Sequence, residues 1–169
     1  MRMIAAVLTA AVLSGAAEEE AYVRHHFARI HGERARSWAL RASDAPHGAP
    51  RLASAVDRSL IDALKACFPR GGPARLVSVQ PALMAVFNRA RGAIPKSGAW
   101  LALAEPERAC VALHAGGAWR AVHNAKGDWL ALLERARLTV DANAPDLVLL
   151  HAPGAPAAEA PGWKLQALA

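Results

Sequence analysis

Residues 99–124, AWLALAEPERACVALHAGGAWRAVHN, constrain the fold of this chain more than any other stretch. They read as three successive antiparallel strands, joined at Glu105-Pro106-Glu107-Arg108 and at Gly116-Gly117. Trp100, Leu101 and Leu103, then Cys110, Val111 and Leu113, then Trp119 and Val122 supply the large and β-branched apolar side chains that strands favour. A glycine pair between two such runs suits a tight hairpin, because both positions tolerate positive φ. Asp128 then caps a helix carrying Trp129, Leu130, Leu133 and Ala136. Leu147 to Leu150 is a continuous apolar run, as in strands buried on both faces.

The rest of the chain supplies further helices and strands. Glu18, Glu19 and Glu20 place negative charge where a helix N-terminus favours it. Val23, Phe27 and Ile30 follow at i, i+4 and i+7 and predict one buried face, with Gly32 closing the helix. Residues 37–42 alternate as a strand, 44–50 form a turn, and 52–56 form a second strand. Asp57 caps a helix carrying Leu60, Ile61, Leu64 and Phe68, and Pro69 to Pro73 breaks it. Arg75 to Val79 reads as a strand. Pro81 opens a helix whose apolar face is Leu83, Val86 and Phe87, and Gly92 ends it. Ala152 to Gly162 is a Pro/Ala-rich linker, before a last strand from Trp163 to Leu168.

Length and composition bound the class. At 169 residues, with 54% hydrophobic and 20% charged, the chain is globular and long enough for one domain or two small lobes. Its net charge of +6 comes almost entirely from scattered arginines. No basic run with interleaved aromatics marks a nucleic-acid surface, so nucleic acid is not an expected partner. The charge leaves attraction to anionic lipid headgroups or to an acidic partner open. Cys67 and Cys110 belong to no CxxC or Cys/His set, so the expectation is two buried small hydrophobes and no metal. A disulfide between them would follow only from export.

The first residues admit two readings. Met1 to Ala17 has a positive start at Arg2, an apolar core from Ile4 to Leu13 and a small-residue site at Gly15-Ala16-Ala17, the layout of a secretory signal cleaved after Ala17. It is shorter than the roughly 20 apolar residues of a membrane-spanning helix, so no intrinsic span is expected. The competing reading is a core strand from about Met3 to Thr9, looping into the acidic helix start.

Catalytic chemistry finds no foothold. His25 and His26 adjoin on a helix with His31 nearby, at spacings that match no HExxH pair. His114, His123 and His151 lie on strands without a Cys or carboxylate motif to complete a set. There is no GxSxG elbow and no P-loop. The five tryptophans are dispersed, which favours packing over a stacking platform. The expectation is therefore no enzyme, with catalytic residues, cofactor-binding residues and metal ligands all none.

The order of elements resembles the actin-like, ribonuclease-H-like proteins of type IV pilus and type II secretion platforms, of PilM, MshI and GspL type. Arg51 to Pro81, RLASAVDRSLIDALKACFPRGGPARLVSVQP, is similar to their pattern of a strand entering a helix, then a second strand ending in a Gln-Pro step. Ala82 to Arg91 resembles the helix that crosses to the second lobe. Trp100 to His123 resembles that lobe's opening meander, and Asp146 to His151 its next core strand. The likeness covers roughly Ser14 to His151.

What the resemblance implies is an α/β fold of mixed sheets with flanking helices, in two partial actin-like lobes. Residues 1–81 would be a partial first lobe, 82–151 the start of the second, and 152–169 a linker with a terminal strand. In nucleotide-binding members of such families, the turn after each lobe's first strand is a glycine-containing phosphate loop. Here that turn is Ala104-Glu105-Pro106-Glu107-Arg108, with no glycine, a proline lacking N–H and two carboxylates. No nucleotide is expected there. The resemblance further implies a non-catalytic cytoplasmic scaffold, peripheral to the inner membrane, whose partners are proteins of a pilus or secretion assembly. It favours the core-strand reading of Met3 to Thr9 and a chain begun inside the first lobe, with unpaired sheet edges open to homo-oligomerisation. The alternative is an exported periplasmic α/β protein cleaved after Ala17.

Overall fold

The computed structural model describes residues 4–8, 15–44, 49–69, 71–153 and 159–168. The chain divides into two compact units, Met1–Pro81 and Ala82–Ala169.

In the first unit, β1 (Ile4–Leu8) is followed by α1 (Ala16–His31), a 3₁₀ turn (Gly32–Ser37), β2 (Trp38–Ala42), β3 (Arg51–Asp57) and α2 (Arg58–Cys67). The sheet order is β1-β3-β2, with β3 antiparallel to both neighbours. β1 and β2 therefore run parallel with β3 inserted between them, a split β-α-β unit. Residues 4–8 form a strand, as the second of the two N-terminal readings expects, in register from Ile4 opposite Ala55 to Leu8 opposite Arg51.

α1 ends where Gly32 takes φ +68, a conformation that only glycine adopts without strain. Its buried stripe is Val23 and Phe27, packed with Ala35 and Trp38 over Ala53 and Ala55 of β3. Alanines at those two positions let the aromatic rings approach the sheet closely. Phe27 meets Trp38 edge-on at 6.3 Å, and the His31 ring lies 5.2 Å from Trp38. Asp57 caps α2 by accepting the Ser59 N–H at 2.9 Å and its hydroxyl at 2.8 Å.

Three expectations are corrected here. Ile30 does not join the buried face but is 55% exposed, because the stripe drifts past it from Phe27 to His31. Residues 75–79 form no strand. The segment does not pair with the edge left at β2, and Val77 stands 80% exposed, so the run gains neither a hydrogen-bond ladder nor burial. Cys67 is exposed at the end of α2 instead of buried; Cys110 is mostly buried, and both are free thiols.

The second unit contains α3 (Ala82–Ala90), a 3₁₀ turn (Arg91–Ala93), β4 (Ala99–Glu105), β5 (Arg108–Ala115), β6 (Ala118–Lys126), α4 (Trp129–Arg137), β7 (Leu147–His151) and β8 (Lys164–Ala167). α3 thus stops two residues before Gly92 and tightens into the 3₁₀ turn. The order is β6-β5-β4-β7-β8, with the first three antiparallel, β7 parallel to β4 and β8 parallel to β7. This is the expected meander, helix and core strand, extended by the terminal strand, which pairs within the same sheet. Gly116 and Gly117 turn the hairpin at φ +60 and +74, and Asp128 caps α4 through the Ala131 N–H at 2.9 Å.

β4 is the centre of this sheet, buried on both faces from Ala99 to Leu103. On one face, Trp100, Ala102, Val111, Leu113 and Val148 pack against Trp129, Leu132, Leu133 and Ala136 of α4. On the other, Ala99 and Leu149 meet Ala90 of α3. Each fully buried Leu or Val there contributes about 1.5–3 kcal/mol relative to exposure. Trp163 closes the core beside β8: its ring meets Trp100 edge-on at 6.3 Å, its Nε1 donates to Glu134 at 2.6 Å, and Arg137 lies 4.8 Å above it. All five tryptophans are buried, as their dispersion predicts.

Candidate functional site

The strand histidines are not brought together. His114 and His151 lie on the α3 face of the sheet, but His114 pairs across from Ala99 while His151 pairs with Leu103. Four residues of strand, about 13 Å, separate those rows along β4. His123 lies on the opposite face, pairing with Val111, and its Nε2 is 3.3 Å from the Thr139 hydroxyl. That hydroxyl donates to the Ala136 carbonyl at 2.7 Å, so its oxygen accepts and His123 Nε2 is assigned the proton. His114 packs between Phe87 and Trp119, at 5.0 and 5.3 Å. Burial holds both histidines below the ordinary pKa, with Arg120 adding to the effect at His114. Burial, with a smaller effect from Glu105, pushes the Cys110 thiol up to about 12 and makes it inert as a nucleophile. Among the described residues, no group of His, Cys, Asp and Glu is arranged to hold a metal.

The turn after β4 closes tightly. Glu105 pairs with Arg108, leaving Pro106 and Glu107 as the two-residue tip. The Glu107 carbonyl accepts the Gly127 N–H at 3.0 Å, which ties the tip to the end of β6. Glu105, Pro106 and Glu107 are exposed, so the tip presents carboxylates and no N–H at Pro106.

A concavity lies in the first unit, a groove of about 1430 Å³. Ala39, Leu40, Arg41 and Ala42 all line it. Consecutive strand residues point to alternate faces, so the groove follows the open edge of β2. Leu76, Val77 and Val79 of an irregular segment, with Phe68 at the end of α2, also line the groove. Phe68 and Val77 are 38% and 80% exposed.

Charge in this groove is uneven. Glu19 accepts from Arg51 Nη1 at 3.0 and 3.1 Å, and Glu20 from Arg24 at 2.8 Å. Beyond those pairs the lining carries Arg41, Arg58, Lys65 and Arg75 against Asp44 and Asp62. Sequence reading missed this groove because it depends on a non-local fact: β2 is an edge, and residues 75–79 do not pair as a strand. The one local signal is Val77, within the run expected to be a strand.

Neither a protein-family model nor a curated protein matches this chain. Solved structures do. A chain of a PilM-PilN type IV pilus biogenesis complex is 14% identical with a TM-score of 0.68, covering 98% of this chain and 66% of that one. The cytoplasmic domain of EpsL, an inner-membrane component of the Vibrio cholerae type II secretion system, is 15% identical with a TM-score of 0.59, covering 98% and 64%. A Bacteroides thetaiotaomicron protein of unknown function with an actin-like ATPase fold is 15% identical with a TM-score of 0.53, covering 81% and 52%. The chain thus spans just under two thirds of the first two proteins and about half of the third. Together with the mixed α/β sheets, these likenesses establish that the chain has the actin-like fold.

Proposed function

We propose that this chain is a non-catalytic actin-like scaffold that docks to an inner-membrane pilus or secretion assembly from the cytoplasmic side. The observation that carries this reading is the fold shared over 98% of the chain with a pilus-biogenesis protein and a secretion-system cytoplasmic domain. Among the described residues, no helix is long and apolar enough to cross a membrane.

The groove beside β2 is the docking place that fits this role. An edge strand offers unpaired N–H and C=O groups to an extended peptide, and flanking apolar side chains add specificity. Leu40, Val77 and Phe68 would bury apolar area on binding, and Arg41, Arg58, Lys65 and Arg75, in none of the ion pairs among the described residues, favour an acidic segment. The carboxylate-bearing tip at Glu105 to Arg108 is unsuited to phosphate, so the scaffold would work without nucleotide.

A photo-crosslinking side chain placed at position 77 tests this in the native cell. The expected adduct is an inner-membrane protein of a pilus or secretion assembly. Val77→Asp should lower recovery with the membrane fraction severalfold at an unchanged circular dichroism spectrum. An adduct confined to other proteins, or unchanged recovery of the variant, ends the docking reading. Saturable ATP binding by the purified chain would end the nucleotide-free one.

A further inference from the structure

The solvent side of α1 carries a second feature that the groove does not use. Tyr22, His25, His26, Arg29 and Ile30 fall at i, i+3, i+4, i+7 and i+8, one continuous stripe beside the Val23 and Phe27 core, with Ile30 at the border between the two. Ile30 is 55% and Tyr22 36% exposed, two of the few large apolar side chains turned to water. Arg29 and, in the adjoining 3₁₀ turn, Arg34 are both exposed, and neither forms an ion pair among the described residues.

The nearby acids do not cancel this charge. Glu33 is taken by Arg36 at 2.8 Å. Glu18, Glu19 and Glu20 sit in the first turns of the helix. The closest of these, Glu20, is nine residues from Arg29, about 14 Å along the axis and beyond the roughly 8–10 Å screening length of physiological salt. Crowding of positive groups is felt at His26, whose pKa is lowered by burial and then by Arg29, His31 and His25. A negatively charged surface would relieve that repulsion.

We propose that the C-terminal half of α1, with Arg34, is a contact surface for anionic phospholipid, with Arg29 and Arg34 at the headgroups and Ile30 and Tyr22 in the interfacial layer. An aliphatic side chain between cations gains from partitioning into lipid and gains nothing from a nucleic-acid backbone, so lipid is the better fit. This surface would orient the chain on the membrane independently of what fills the groove.

Co-sedimentation of the purified full chain with vesicles tests it without any partner protein. Binding is expected to mixed phosphatidylglycerol and phosphatidylcholine vesicles and not to phosphatidylcholine alone, and to weaken as salt rises. At about 1 kcal/mol per basic residue, or about fivefold each, Arg29→Gln with Arg34→Gln should lower the partition roughly thirtyfold. Ile30→Asn should also lower it at an unchanged circular dichroism spectrum, while Arg91→Gln with Lys96→Gln should leave it alone. Equal binding to both vesicle types, undiminished binding by the Arg29/Arg34 variant, or binding to RNA in place of vesicles would overturn the assignment.

Discussion

Gly98 shows how a single residue can be held by geometry that its neighbours impose. Its φ is +99, and a Cβ built there would lie 2.5 Å from the His114 carbonyl oxygen and 2.6 Å from the Ala115 Cβ. Gly127 has nearly the same φ, +98, with open space where a Cβ would go. The pair therefore separates backbone strain from collision. Gly127→Ala is expected to cost about 1 kcal/mol, the strain alone. Gly98→Ala is expected to cost about 3 kcal/mol or more, because β5 must also move. Urea unfolding of both variants decides it, and equal losses would mean the β5 backbone yields freely. The capping aspartates, Asp57 and Asp128, were legible because a cap is a local device. The exposure of Ile30 was not, because helical spacing leaves open which edge of an apolar stripe the rest of the fold covers.

Among the elements, the meander and α4 share one core, and two histidines of the meander make its stability sensitive to pH. Burial lowers the pKa of His114 and of His123 in the folded state, so the unfolded chain binds protons more readily. Stability is then fully present above the ordinary histidine pKa of about 6.5 and is lost as the pH falls through the lowered folded values. Protonation at His123 would add a charge beside the Thr139 hydroxyl that joins β6 to the end of α4. The urea midpoint should decline between neutral pH and about pH 5, and His123→Gln should flatten that decline. A midpoint that rises on acidification would contradict the assigned direction. The strands of the meander could be read directly, since hairpin turns and apolar runs are short-range signals. Residues 75–79 misled because an apolar run looks the same whether or not it joins a sheet edge.

For the molecule as a whole, the first unit depends on a strand far from its partner in sequence. β1 pairs along five residues with β3, which lies more than forty positions further on. A chain beginning at Glu18 would lose that ladder and leave β3 with an open edge. It should unfold at lower urea than the full chain, with the loss confined to the first unit, and exposed backbone should make it prone to associate. Hydrogen exchange resolved along the chain would show this, and equal protection of β3 in both forms would mean β1 is dispensable.

The linear sequence determined what short-range chemistry can determine. Hairpin glycines, helix-capping aspartates, the apolar β7 strand and the order of elements were all readable from neighbouring residues, and together they point to an actin-like α/β chain. Only the tertiary structure decided that β3 has both edges filled, that β2 is left open along a groove, and that three strand histidines never meet. Each of these depends on which distant segment wins a place in a sheet. That competition is settled by hydrogen-bond ladders and shared burial between residues tens of positions apart, which no local pattern records.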